Sequence, residues 1–399
     1  MNKSNKSYDL LSQIYFALLI ILSLLPSAFV EGNQLRQPTI IIFLVIVFLF
    51  FFFSYDLNLK KQSDQNKSSL IILFFILILI SFLLSLDQNF YFRGYKFLTI
   101  IPIMIFTKYV VPKINYEKFL NIFFILFSFY VIGTSIYALN FDVSKVYSLY
   151  SNASYTRYGF TDSITTHSIN CLVYLFLSYT FYIKTTSLFK KNFLIITSLL
   201  ALTMVFLSAS RQVIAIIVIF FLISVLIKKN KKIIDFIKVI FIFMILFIIF
   251  YLFSYFIENS LYIRIFDNEE NFSSGRFDSI QFWYTVFKDK GVLGFGYIIN
   301  NTSLFVIESP HNEFLRFYFE GGLPGLVFII IIFIYLIKCL SQIQNSHIDK
   351  QLKVLSILFF SVILGQSLLN NIFNDIYRLF LYMFFLVIIY EISLIKSSD

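Results

Sequence analysis

Charge is scarce in this chain. Only 14% of its 399 residues are Asp, Glu, Lys or Arg, where a water-facing domain carries about a quarter. That shortage, with 59% hydrophobic and 20% aromatic residues and a mean hydropathy of +0.82, excludes a soluble globular protein and predicts one that crosses a membrane repeatedly. Cysteine is almost absent: Cys171 and Cys339 stand alone, without metal-ligand spacing. They are expected near opposite membrane faces, which rules out a disulfide between them. Only three histidines are present, His167, His311 and His347, so imidazole chemistry has few seats. No ATP-binding motif occurs, and the "GFG" of "GVLGFGY" is too short to mark a nucleotide loop. Internal repeats and low-complexity linkers are also missing. The net charge of +10 would suggest nucleic acid in a soluble protein. Here it follows from lysines that collect in cytoplasmic loops, and no nucleic-acid partner is expected.

What is present is a series of apolar windows. Twelve are long enough, with flanking aromatics, to cross roughly 30 Å of hydrocarbon. They are Leu11–Val30, Pro38–Phe53, Ser69–Leu86, Phe97–Val111, Phe119–Ala138, Thr166–Ile183, Phe193–Leu207, Val213–Ile227, Val239–Ile257, Leu323–Leu340, Leu352–Leu369 and Ile376–Ile392. The first is long for a signal peptide and lacks a small-residue cleavage site, so it reads as a retained span. The expected fold is therefore all-α: one integral membrane domain over residues 1–399, with about twelve transmembrane helices.

Lysine sets the orientation. With both termini in the cytoplasm, the inside segments hold twenty of the chain's lysines and no arginine, as the positive-inside rule requires. All eight arginines (Arg36, Arg93, Arg157, Arg211, Arg264, Arg276, Arg316 and Arg378) then fall outside or at the outer edge of a span. Some would anchor lipid headgroups. Arg211 has a narrower setting: it sits in "SASRQ", residues 208–212, a turn between two spans too short for surface decoration. A guanidinium there stays protonated when half buried and offers a planar fork that matches phosphate oxygens.

Two outer segments are long, 140–165 and 258–322. The second contains an amphipathic stretch, Asp278–Lys288, with Ile280, Trp283, Tyr284 and Phe287 on one side, suited to lying at the interface. It also contains "SPHNEFLRF", which reads as a helix start with Ser309 as cap, Pro310 at the first position and Glu313 early. "EGGLPGL" follows and permits a sharp re-entry into the membrane. The acidic run Asp267–Asn271 has no ordered ligand spacing, so no metal site is expected.

Taken together, "SASRQ", "GRFDSIQFWYTVFKDKGVLGFGY" and "SPHNEFLRFYFEGGLPGL" resemble the O-antigen ligase and polymerase family. Members show a Ser-Arg pair in a short outer turn, an Arg…Trp…Gly-x-Gly stretch and a His-Asn-x-x-Leu motif. "TRYGFTDSITTHS", residues 156–168, looks like the family's Arg-x-x-Gly stretch, although the usual asparagine is not clearly matched. The resemblance covers mainly residues 155–330. It implies a glycosyltransferase-C-like fold with a large periplasmic loop in the bacterial inner membrane, and a metal-independent glycosyltransferase without cofactor. The implied donor is a glycan on undecaprenyl diphosphate. In a ligase the acceptor is a lipid A–core oligosaccharide, as in lipopolysaccharide biosynthesis; in a repeat-unit polymerase it is another lipid-linked glycan. The histidine-containing "SPHNEFL" suits a hydroxyl acceptor and favours the ligase.

The residues suit that chemistry on their own terms. Cleavage of the sugar C1–O bond builds charge on the departing diphosphate, which Arg211 and Arg276 would bind with Arg157 assisting. His311 would accept the acceptor's hydroxyl proton. Arg316, Asp278 and Glu313 are secondary candidates, with Glu313 read chiefly as a helix-start residue. A lipid-linked sugar transporter is the rival class. Transporters keep charges within their spans and repeat their halves, whereas polar residues here gather at one surface.

Overall fold

The computed structural model describes residues 116–140, 164–208, 210–227, 312–369 and 376–398, with single positions within 13–21 and 281–285. Seven helices are described: α1 Tyr116–Asn140, α2 Ile164–Lys184, α3 Leu188–Leu207, α4 Arg211–Leu226, α5 Glu313–Asn345, α6 Lys350–Leu369 and α7 Ile376–Ser398. No strand occurs among the described residues. Four segments are long and apolar enough to cross a membrane: Phe119–Asn140, Leu188–Leu207, Gly325–Asn345 and Lys350–Leu369. Each overlaps an expected span. Five expected spans (Leu11–Val30, Pro38–Phe53, Ser69–Leu86, Phe97–Val111 and Val239–Ile257) lie wholly or largely outside the described residues.

These stretches form helices because an apolar solvent leaves backbone groups no partner but each other. Their hydroxyls follow the same rule by turning back on their own helix. Ser128 donates to the carbonyl of Phe124 (2.5 Å), Thr180 to Phe176 (2.9 Å), Thr197 to Phe193 (2.9 Å) and Ser361 to Ile357 (2.7 Å). Each bond spans four residues and lets a polar side chain sit in an apolar helix.

Short connections join consecutive helices at three places. α2 and α3 form a hairpin closed at residues 185–187, and α3 turns into α4 at residues 208–210. α5 and α6 form a second hairpin closed at residues 346–349. The two hairpin turns lie together, because Lys184 Nζ at the end of α2 meets Asp349 Oδ2 before α6 at 3.2 Å. Both segments were assigned to the same face from lysine counts, and the geometry agrees. This end is called the Lys184 end, and the opposite end, where α4 and α5 begin, the Asn312 end.

α6 is the central post, buried along most of its length. α4, α5, α7 and α2 pack around it. α4 comes close to it: a Cβ added at Gly365 would lie 2.7 Å from Ile216 Cγ1, so a larger residue would force Ile216 to shift. An aromatic cluster joins α1, α6 and α7. Phe385 stacks against Phe119 and Phe359 at 5.7 and 5.4 Å between ring centroids, and Phe123 approaches it at 3.7 Å. α3 is different: Leu188, Phe189, Ile196 and Leu199 are exposed, the surface that hydrocarbon would cover. Cys171 and Cys339 are both free and buried.

Two expectations about α5 are corrected. The helix starts three residues later than expected, with Asn312 and not Ser309 as its cap: the Asn312 side chain accepts a hydrogen bond from the backbone N–H of Leu315 at 3.1 Å. Asparagine's short carbonyl reaches that N–H as well as serine does. The glycine-rich stretch is also not a break, because α5 runs unbroken through residues 320–325. Pro324 lacks the N–H that would bond the Glu320 carbonyl, yet the helix continues past it. At 1.5 Å per residue the 33 residues of α5 extend about 50 Å, well beyond the hydrocarbon. Its apolar part begins at Gly325, so the first dozen residues form a helical collar at the Asn312 end.

Candidate functional site

Side-chain amides join three helices at the Asn312 end. Two bonds bring its elements together. Gln212 Nε2, in the first turn of α4, donates to the carbonyl of Leu369 at 3.1 Å. Asn312 Nδ2, capping α5, donates to the carbonyl of Leu368 at 3.1 Å. The last carbonyls of a helix have no partner within it; here two of them are taken by amides from neighbouring helices. The N-termini of α4 and α5 are thereby fixed to adjacent residues of one helix end. Gln212 follows Arg211, and Asn312 follows His311.

A buried ion pair lies just inside the cap. Arg316 Nη1 meets Glu313 Oε2 at 3.3 Å, with the side chains 4% and 0% exposed. Both had been expected as secondary candidates, with Glu313 chiefly a helix-start residue. Glu313 does occupy the first turn of α5, where a carboxylate favours the helix dipole. It also holds Arg316, so one residue does both.

Further polar groups lie buried on the surrounding helices. Tyr382 Oη of α7 donates to Asn170 Oδ1 of α2 at 2.6 Å. His167 Nε2 lies 3.5 Å from Ser135 Oγ of α1 and 3.7 Å from Cys171 Sγ. Several buried atoms have no hydrogen-bond partner among the described residues: Ser210 Oγ, Gln212 Oε1, both amide atoms of Gln366, and Ser367 Oγ. Ser210 occupies the cap position of α4 yet makes no capping bond through its side chain. An unpartnered buried polar group costs about 1–3 kcal/mol, so a cluster of them marks where something polar belongs.

The other expected residues stand as follows. Arg211 is the first residue of α4, and its side chain lies outside the described residues. Arg157, Arg276, Asp278 and His311 lie outside them as well, as does the acidic run Asp267–Asn271. Of the amphipathic stretch 278–288, the described positions 281, 284 and 285 are helical, and Thr285 Oγ1 donates to the Gln281 carbonyl at 2.8 Å. Sequence reading missed Gln212, Gln366, Ser367 and the Asn170–Tyr382 pair. It sought charges within spans, and the available signal was neutral: a Gln-Ser pair inside the apolar run "SVILGQSLL".

Fold and site together define a helical membrane protein with a buried polar region at one end of its bundle. Residues 196–330 match the family model described as O-antigen ligase. The match covers 135 of the 399 residues and is a similarity to that family. It spans α3 from residue 196, α4 and the first half of α5, and includes Arg211, Arg276, His311, Glu313 and Arg316. No curated protein matches the chain.

Proposed function

We propose that this protein transfers a glycan from undecaprenyl diphosphate to an acceptor hydroxyl at the periplasmic face of the bacterial inner membrane, as an O-antigen ligase acting on a lipid A–core sugar. The observation that supports this reading most is the convergence of α4 and α5 on the last turn of α6. Arg211 opens the first of these helices, and His311 immediately precedes the cap of the second.

The chemistry divides between them. Arg211, with Arg276 and Arg157, binds the diphosphate and stabilises the charge that grows on it as the sugar C1–O bond breaks. Fixed cations in a site poor in water contribute roughly 3–4 kcal/mol each to such a transition state. Neutral His311 takes the proton from the acceptor hydroxyl as its oxygen bonds to C1. The Glu313–Arg316 pair stiffens the first turn of α5 behind His311.

The test is transfer by purified protein from a defined lipid-linked glycan, with lipid A–core and with a second lipid-linked repeat unit as separate acceptors. Arg211→Ala and His311→Ala should each lower transfer at least a hundredfold at normal expression and melting temperature. Full activity in both would end the proposed mechanism. Elongation of the repeat unit with no transfer to lipid A–core would make the enzyme a polymerase, and loss of activity in chelator would bring in a metal.

A further inference from the structure

The two cysteines show no metal-ligand spacing toward each other, yet Cys171 stands four residues after His167. That is one turn along α2, so both side chains lie on one face of it. Ser135 of α1 meets them there. His167 Nε2, Cys171 Sγ and Ser135 Oγ form a triangle: 3.7 Å from nitrogen to sulfur, 3.5 Å from nitrogen to oxygen and 3.9 Å from oxygen to sulfur. His167, Cys171 and Ser135 are 1%, 0% and 0% exposed. His167 stands in the first turn of α2 and Ser135 in the last turns of α1, so the triangle lies near the Asn312 end.

Hydrogen bonding accounts poorly for these distances. A hydroxyl normally bonds at about 2.5–3.0 Å, and both Ser135 contacts are longer. An ion at the centre fits them better. The point equidistant from the three corners lies about 2.1 Å from each, close to the roughly 2.0–2.1 Å of a zinc–nitrogen bond and 2.3 Å of a zinc–sulfur bond. The donor set decides which ion. Structural zinc takes four strong ligands, and no group of three His, Cys, Asp or Glu residues placed to hold a metal occurs among the described residues. A thiolate with an imidazole suits a soft ion that accepts two or three ligands, Cu+ above all. Charge points the same way. On binding, the Cys171 proton leaves to water and a metal–sulfur bond forms. A monovalent ion and the thiolate then cancel, whereas a divalent ion would leave a charge among apolar helices. We infer that His167 and Cys171, with Ser135 as a weak third ligand, form a site for a soft monovalent metal ion, Cu+ or Ag+, that ties α1 to α2. The site lies outside residues 196–330 and does not depend on the transferase reading.

The experiment uses the full-length protein in detergent, with Cu+ held reduced by ascorbate and a coloured Cu+ chelator as competitor. Cys339→Ser removes the other thiol and serves as the background. In that background one Cu+ should bind per chain, Cys171→Ser should abolish uptake, and His167→Gln should weaken it at least tenfold. Melting temperatures without metal check that each variant is folded. With Cu+, the background protein should melt at a higher temperature and the Cys171→Ser protein should not. X-ray absorption of wild type loaded with less than one equivalent of Cu+ needs no substitution and should show both a sulfur and a nitrogen neighbour. Uptake that survives Cys171→Ser would overturn the inference, as would His167→Gln binding as tightly as its background. So would copper bound by sulfur alone, or no uptake by wild type.

Discussion

Glu313 and Arg316 provide the sharpest test of how the collar of α5 is held. Both side chains are almost wholly buried, at 0% and 4% exposure, and meet at 3.3 Å. Replacing one member removes an ionic partner of the other inside a buried site, where breaking a pair costs about 3–5 kcal/mol. Replacing both with residues of similar volume removes both buried charges together, and such exchanges are often neutral or stabilising. Glu313→Gln and Arg316→Met should therefore each destabilise strongly, while the double variant should lose much less than their sum, with a coupling of roughly 2–3 kcal/mol. The molecule carries its own reporter. Cys171 and Cys339 are free and buried, so a thiol-reactive fluorophore stays dark until the bundle opens. Additive losses in that unfolding assay would show that the pair is not a unit and would refute the argument that it stiffens the helix start.

Other contacts make comparably specific forecasts. Tyr382→Phe leaves Asn170 Oδ1 without the hydroxyl that reaches it at 2.6 Å; unfolding should become easier by about 1–3 kcal/mol, and no change would mean the bond contributes nothing. Gly365→Leu places a side chain where even a Cβ meets Ile216 at 2.7 Å. It should abolish the stable bundle, and Ile216→Ala in the same chain should recover part of it, measured as detergent-stable monodisperse protein.

Much of this architecture was legible beforehand because the membrane imposes simple rules. Each described helix overlaps an expected apolar window, since no other backbone arrangement survives in hydrocarbon, although α5 begins ten residues before its window. Lysine counting put residues 184 and 349–350 on one face, and the Lys184–Asp349 contact agrees. The start of α5 was misjudged because Ser-Pro and Asn-Glu are both good helix openings in series, and only the Leu315 N–H to Asn312 bond decides between them. Residues 320–326 were expected to permit a sharp re-entry because glycine and proline are poor helix formers, yet α5 continues through them. Gln366 and Gln212 escaped notice for another reason. A neutral amide leaves no mark in charge counts, and its meaning depends on which groups fail to answer it.

The two side-chain amides that bond to the end of α6 have a consequence for motion. Gln212 and Asn312 hold consecutive carbonyls of the same helix end, so α4 and α5 cannot separate without withdrawing from α6 or dragging it along. A lipid substrate entering sideways between those helices would have to break one of these bonds and expose a bare carbonyl. The entrance for a lipid tail is therefore expected elsewhere on the perimeter, with this junction serving as the fixed jaw against which the opposite wall moves.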